Sequence, residues 1–234
     1  MFRNIIGLVA ALCLSACASP YVAKPYDRPA AGIRNIALMD DSLPEKASAY
    51  EVASVGSNFG LVGALVDAGI QSSRAQAVNE ALATTGFDAE SKLEGRMIST
   101  LGAEGYVVKA LEGSARAKRE FAASYPTGAA EVDAYLDVVV LNYGYLSAGA
   151  GQPFRPTVWA NLRLVSAKNP SKPLMENMIV YNGMGVQAGV ITLSANPAYA
   201  FRNREELLAD PKRLAAGIED ALNQVADTAT RLLR

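Results

Sequence analysis

Apolar positions change their period several times along this chain, and each change marks an element. An unbroken apolar run from Ile5 to Leu14 comes first, preceded by a single basic residue, Arg3. The run is about half the ~20 residues that a membrane-spanning helix needs, so it predicts a removable signal peptide over residues 1–16 and not a permanent span. From Ala18 to Gly32 there is no apolar period, and Pro20, Pro25 and Pro29 are interleaved with Tyr21 and Tyr26. That composition predicts an extended tether over 17–32, at about 3.1 Å per residue in polyproline geometry.

The folded body is predicted over 33–234. Arg34 to Met39 reads as the first strand, closed by Asp40-Asp41 and a turn at Pro44. Val55 to Thr84 predicts one long helix or two in tandem. Asp88 is placed to cap the next helix, whose Leu93, Met97 and Leu101 recur every four residues before Gly105 stops it; Tyr106-Val107-Val108 then comes as a strand. Leu136 to Tyr143 is a nearly continuous apolar run with a β-branched centre, as a central strand buried on both faces requires.

Val158, Ala160, Leu162 and Leu164 alternate with Trp159, Asn161, Arg163 and Val165, giving a strand with one apolar and one mixed face. Turn chemistry over Ala167 to Pro173 and a resumed apolar run from Leu174 to Tyr181 complete an antiparallel hairpin. Asp210 and Pro211 begin the last helix, which sets Leu214, Ile218, Leu222, Val225, Ala229 and Leu232 on one stripe to cover a sheet face. The order predicts an α+β fold: a single domain with a mixed or antiparallel sheet and helices packed on it.

Composition narrows the chemistry. There are 22 Lys and Arg against 23 Asp and Glu, and loss of Arg3 with the leader takes the mature chain to a side-chain charge of −2, which offers nothing to nucleic acid. The two cysteines are Cys13, inside the leader, and Cys17, so the body has no cysteine for a disulfide. Histidine is absent. Zinc sites of the usual Cys/His kind, Ser-His-Asp triads and Cys-His dyads are thereby excluded, and no metal or organic cofactor is expected.

Leu14-Ser15-Ala16-Cys17 closes the apolar run with a large apolar residue, two small residues and a cysteine. This resembles the lipobox of bacterial lipoproteins. The resemblance implies cleavage before Cys17, diacylglycerol on its thiol, and an acyl chain such as palmitate on the new amino group. Two or more chains anchor a protein lastingly where one does so marginally. Ala18, in place of an aspartate after the cysteine, implies sorting to the outer membrane.

The runs Leu93 to Val108 and Tyr135 to Tyr143, with the hairpin and its Pro-rich turn, resemble the fold of the curli-secretion lipoprotein, the penicillin-binding-protein activator lipoproteins and the amino-terminal domain of TolB. The likeness covers about two-thirds of the mature chain and carries no diagnostic motif of any one family. It implies a place in a lipoprotein group near them.

Other candidate features are weighed against plainer roles. Gly183-Met184-Gly185-Val186-Gln187-Ala188-Gly189 nearly spells a dinucleotide loop. The spacing is one residue too long, however, and Val190 to Leu193 with Pro197 beyond does not open a helix, so a turn is expected. No Gly-Lys dipeptide exists for a P-loop, and no Ser-x-x-Lys pair for a penicillin-recognising enzyme. Asp40 and Asp41 stand where a strand ends, near Glu45. Neighbours on a strand point to opposite faces, which predicts a polar turn and not a catalytic pair. Tyr143 and Tyr145 share one side of the central strand and are expected to pack.

Gly56, Gly60, Ala64 and Ala68 form a smooth stripe every four residues, suited to close packing in the core or to an interface with another subunit. The expected function is a non-catalytic interaction or assembly module of the cell envelope. It would be lipid-anchored at the outer membrane, face the periplasm, and take an envelope protein or its own copies as partner. Two alternatives stand beside it: a ring-forming secretion component like the curli lipoprotein, and a carboxylate-dependent hydrolase, which a cleft gathering Asp40, Asp41, Glu45 and Tyr143 would favour.

Overall fold

The computed structural model describes residues 21–52, 60–112, 116, 118–126, 131–183 and 188–234, with the backbone alone over 60–70. The expected signal peptide, Cys17, which is expected to carry lipid, and Gly56 lie outside these residues. Gly60, Ala64 and Ala68 fall on a helix of which only the backbone is described at those positions.

Among the described residues, seven strands form one mixed sheet: β1 (Asn35–Met39), β2 (Ser48–Glu51), β3 (Val107–Leu111), β4 (Ala134–Ser147), β5 (Arg155–Ser166), β6 (Asn169–Tyr181) and β7 (Ile191–Leu193). The helices are α1 (Arg28–Ala31), α2 (Gly60–Ala83), α3 (Ala89–Ala103), α4 (Arg204–Ala209) and α5 (Pro211–Leu232). The order across the sheet is β3-β1-β4-β5-β6-β7, with β2 beside the far half of β4. β4, β5 and β6 run antiparallel, while β1 with β3, β1 and β2 with β4, and β6 with β7 are parallel. The α+β class, a single domain with helices on a mixed sheet, is as the sequence predicts.

β4 is long enough to serve two parallel partners in succession. Ile36 to Leu38 of β1 pair with Ala134 to Leu136; the Val140 amide then donates to the Ser42 carbonyl at 2.7 Å, and β2 pairs with Gly144 to Ser147. The register shifts between Val140 and Asn142, a bulge that leaves Leu141 partly exposed. Gly144 has φ +135°, and a Cβ there would stand 2.1 Å from the Ser48 carbonyl oxygen. Only glycine lets β2 approach.

One sheet face is covered by helices. Leu136, Val138 and Val140 of β4 and Val158, Ala160, Leu162 and Leu164 of β5 are buried there against α5 and α3. The α5 stripe is the predicted one from Leu214 to Ala229, except that Leu233, not Leu232, takes the last fully buried place. Asp88 caps α3 through the Ser91 amide at 3.1 Å, and Asp210 caps α5 through that of Arg213, also at 3.1 Å. Tyr145 is fully buried edge-on against Phe201, and its hydroxyl donates to the Leu214 carbonyl.

The segment read as an extended tether is docked on the body over its described part. Lys24 exchanges both backbone hydrogen bonds with Glu176, at 2.7 and 3.0 Å, extending the outer side of β6 beyond β7. Residues 28–31 form the single turn α1, whose Arg28 stacks over the Tyr106 ring at 4.5 Å and donates to the Glu104 carbonyl. Prolines forbid a long helix here, yet they suit an extended segment at a sheet edge.

Candidate functional site

β1 ends at Met39, and the chain turns at once: Asp41 adopts φ +55°, in the left-handed region. Strand alternation therefore stops before the two aspartates. Asp40 and Asp41 both line one cleft of about 650 Å³, with Glu45 on its rim, Asp88 and Glu90 from the start of α3, and Tyr143 from β4. The expectation that alternation would part the aspartates is corrected by this turn. The cleft sits at the carboxyl end of a parallel strand, where open α/β sheets place their ligands.

Hydrogen bonds show what most of these carboxylates do. Asp88 holds the Ser91 amide and hydroxyl, at 3.1 and 2.8 Å, and these bonds keep its carboxyl below the ordinary range. Glu90 accepts the Ser42 and Leu43 amides, one on each oxygen, both at 2.8 Å. Burial outweighs those bonds and raises its pKa, with Asp40 and Asp41 adding to the rise. Asp41 pairs with the Arg119 guanidinium at 2.6 Å and also accepts the Arg116 amide. The Asp40 carboxylate accepts the Asp41 amide at 2.7 Å, and its backbone carbonyl accepts from the Arg116 guanidinium.

Tyr143 is buried, and its phenol is pushed up to about 12 by desolvation and then by the Glu90 and Asp88 charges. It is a neutral hydroxyl at any physiological pH. The cleft thus offers one neutral phenol and one carboxyl of raised pKa, Glu90, whose two oxygens accept amides, while Asp41 and Asp88 are held by guanidinium, amide and hydroxyl donors. Among the described residues, no group of three or more acidic side chains is placed to hold a metal ion.

The sequence brought Asp40, Asp41, Glu45 and Tyr143 under suspicion, and the fold gathers all four. It left out Glu90, Arg116 and Arg119. A signal for Arg116 was present: Asp137 interrupts the most strand-like run of the chain, and a carboxylate there demands a cationic partner. Asp137 is fully buried, with the Arg116 guanidinium 2.7 Å from one oxygen. The other oxygen accepts from the Ala122 amide at 2.8 Å and the Tyr125 hydroxyl at 2.9 Å. This clamp holds Arg116 and residues 118–126 on the sheet face opposite the helices.

Of the glycine-rich run, 184–187 lie outside the described residues. Ile191–Leu193 beyond it is a strand parallel to β6, so no helix N-terminus stands there as a dinucleotide site requires.

No protein-family model matches the chain, and comparison with curated proteins and with solved structures finds no match.

Proposed function

We propose that this chain is an outer-membrane lipoprotein, held by acyl chains on Cys17, with its α+β domain facing the periplasm as a non-catalytic interaction or assembly module. The carrying observation is Leu14-Ser15-Ala16-Cys17 at the end of an apolar run too short to span a bilayer. The cleft supports the non-catalytic part of the reading, since Asp41, Asp88 and Glu90 each tie a turn or a helix start. The absence of histidine supports it too. The likeness to the curli-secretion and penicillin-binding-protein activator lipoproteins suggests a partner within the envelope, a protein or further copies of the chain. Replacing Cys17→Ser tests the anchor: the precursor should stay uncut and take up no labelled fatty acid. Cleavage and membrane retention of that variant would refute it.

A carboxylate-dependent hydrolase is the second reading, favoured by one observation, the meeting of Asp40, Asp41, Glu45, Glu90 and Tyr143 in one cleft. In it Glu90 is the proton donor, because its pKa is the raised one. Hydrolysis of envelope glycans or peptides by the purified chain, lost in a stably folded Glu90→Gln variant, would establish it over the first.

A further inference from the structure

The sheet face opposite the helices is covered over one half by Arg116 and residues 118–126. Over the other half the described residues leave it bare. Tyr50, Val52, Leu146 and Trp159, with Asn142 and Thr157, line an apolar hollow of about 360 Å³. Tyr50 is 44% exposed, Val52 41% and Trp159 38%, although all three are large hydrophobic side chains. A bare patch of this kind marks a contact surface.

The amino-terminal segment enters on the same face. Tyr21 lies against Gly189, and its phenol, pushed up to about 12 by burial, senses the Glu176 carboxylate and the Arg163 guanidinium. Those two groups pair at 3.0 Å across β5 and β6. Arg163 and Trp159 are separated by four residues on one side of β5, about 13 Å along the strand. Cys17 precedes Tyr21 by four Cα steps, a link of at most about 14 Å when fully extended. A domain tied this closely cannot stand clear of its membrane.

We propose that the Trp159 face rests on the lipid bilayer that holds Cys17, with Trp159 and Tyr50 at headgroup level. The inference rests on the reading of Cys17 as lipidated. Its ground is where the described chain starts: Tyr21 stands by the β6 edge at Gly189, and the extended reach from it to Cys17 is comparable to the distance from Arg163 to Trp159. Tryptophan and tyrosine suit that depth, having an apolar body and one polar N–H or O–H that stays hydrated. Arg155, exposed and paired in register with Leu146, sets a cation at the edge of the same patch, where its stem can cover lipid and its charge meet phosphate.

Trp159 is the sole tryptophan of the chain, so intrinsic fluorescence reports this face alone. The full-length lipidated protein is reconstituted into phosphatidylethanolamine and phosphatidylglycerol vesicles, with or without dibrominated phosphatidylcholine, and floated on a density gradient. The expected result is co-flotation, loss of most Trp159 emission to the bromolipid, and protection from acrylamide in the water phase. Tyr50→Asp should float equally but lose much of the bromolipid quenching. Flotation with unquenched, acrylamide-accessible Trp159 overturns the face alone. Failure to float overturns the anchor and this inference with it. A blue shift that tracks protein density and ignores bromolipid assigns the face to a second copy, and also overturns it.

Discussion

Two faces of one sheet solve the same problem of burial in opposite ways. On the helix side, Leu162 and Leu164 of β5 meet α5 through apolar contact, with both leucines fully buried. On the other side, cover over the first half depends on a charge: the buried Asp137 carboxylate, bound by Arg116, Ala122 and Tyr125, pins Arg116 and residues 118–126 down. The Tyr125 ring stacks on Tyr135, and the Arg163 guanidinium lies over Phe121 at 4.0 Å. Beyond the reach of that clamp, the described residues leave the face bare around Trp159. Apolar packing tolerates small losses gradually, whereas a buried ion pair fails at once when one partner goes.

The largest effect should therefore come from Arg116→Ala, which leaves the Asp137 carboxylate in a dry site without its cation. We expect a loss of about 3–5 kcal/mol in urea unfolding. The double variant Arg116→Met with Asp137→Leu should recover most of that, because the charge and its partner leave together. A loss under about 1 kcal/mol for Arg116→Ala would reduce the clamp to a surface contact.

On the helix side, Leu162→Ala should cost about 2–5 kcal/mol through the cavity it opens. At the amino-terminal end of α3, which packs on that side, Asp88→Ala should cost about 1 kcal/mol at pH 7 from the lost helix cap. The Asp88 carboxyl is held below its ordinary value of 3.8, so its contribution is full above that pH and disappears as pH falls through the lower, folded value. Wild type and variant should thus converge in stability once the pH has fallen through that lowered value. A constant gap from pH 7 to pH 2 would show that the carboxylate charge has no part in the cap.

The smallest effect belongs to the bare half-face. Three residues before Leu162 on the same strand, Trp159→Ser should change stability by less than about 0.5 kcal/mol, since an exposed side chain holds little of the core. Equal losses from Leu162→Ala and Trp159→Ser would erase the contrast between the faces.

Legibility in the sequence divides along the same line. Where an element has a period and a local stop signal, it could be read: β1, α3 with its Asp88 cap, β5 by alternation, and α5 by its stripe. The strands β4 and β6 are longer than the apolar runs that revealed them. β4 continues through the bulge at Leu141 and through Gly144, and β6 starts within the Lys- and Pro-bearing turn. β2 is four residues of mixed character, Ser48–Glu51, placed by its fit against Gly144 and by no pattern of its own. The short helices α1 and α4 and the docking of Lys24 on Glu176 likewise depend on tertiary partners.

The cleft was legible in part for the same reason. Asp40, Asp41 and Glu45 are neighbours in sequence, but Glu90 reaches Ser42 across 48 positions, and Arg119 reaches Asp41 across 78. No local spacing encodes such distances. The one sequence sign of the clamp was Asp137 within an apolar strand, and its meaning depends on Arg116, which only the fold brings near.

The proposed anchor at Cys17 is what would set the Trp159 face on a bilayer, so the most direct measurement is mass spectrometry of the amino-terminal peptide of the protein extracted from native membranes. The account predicts a mature chain beginning at Cys17, with diacylglycerol on the thiol and an acyl chain on the amino group. A mature chain that begins at another residue, or that carries Cys17 as a free thiol, would contradict it.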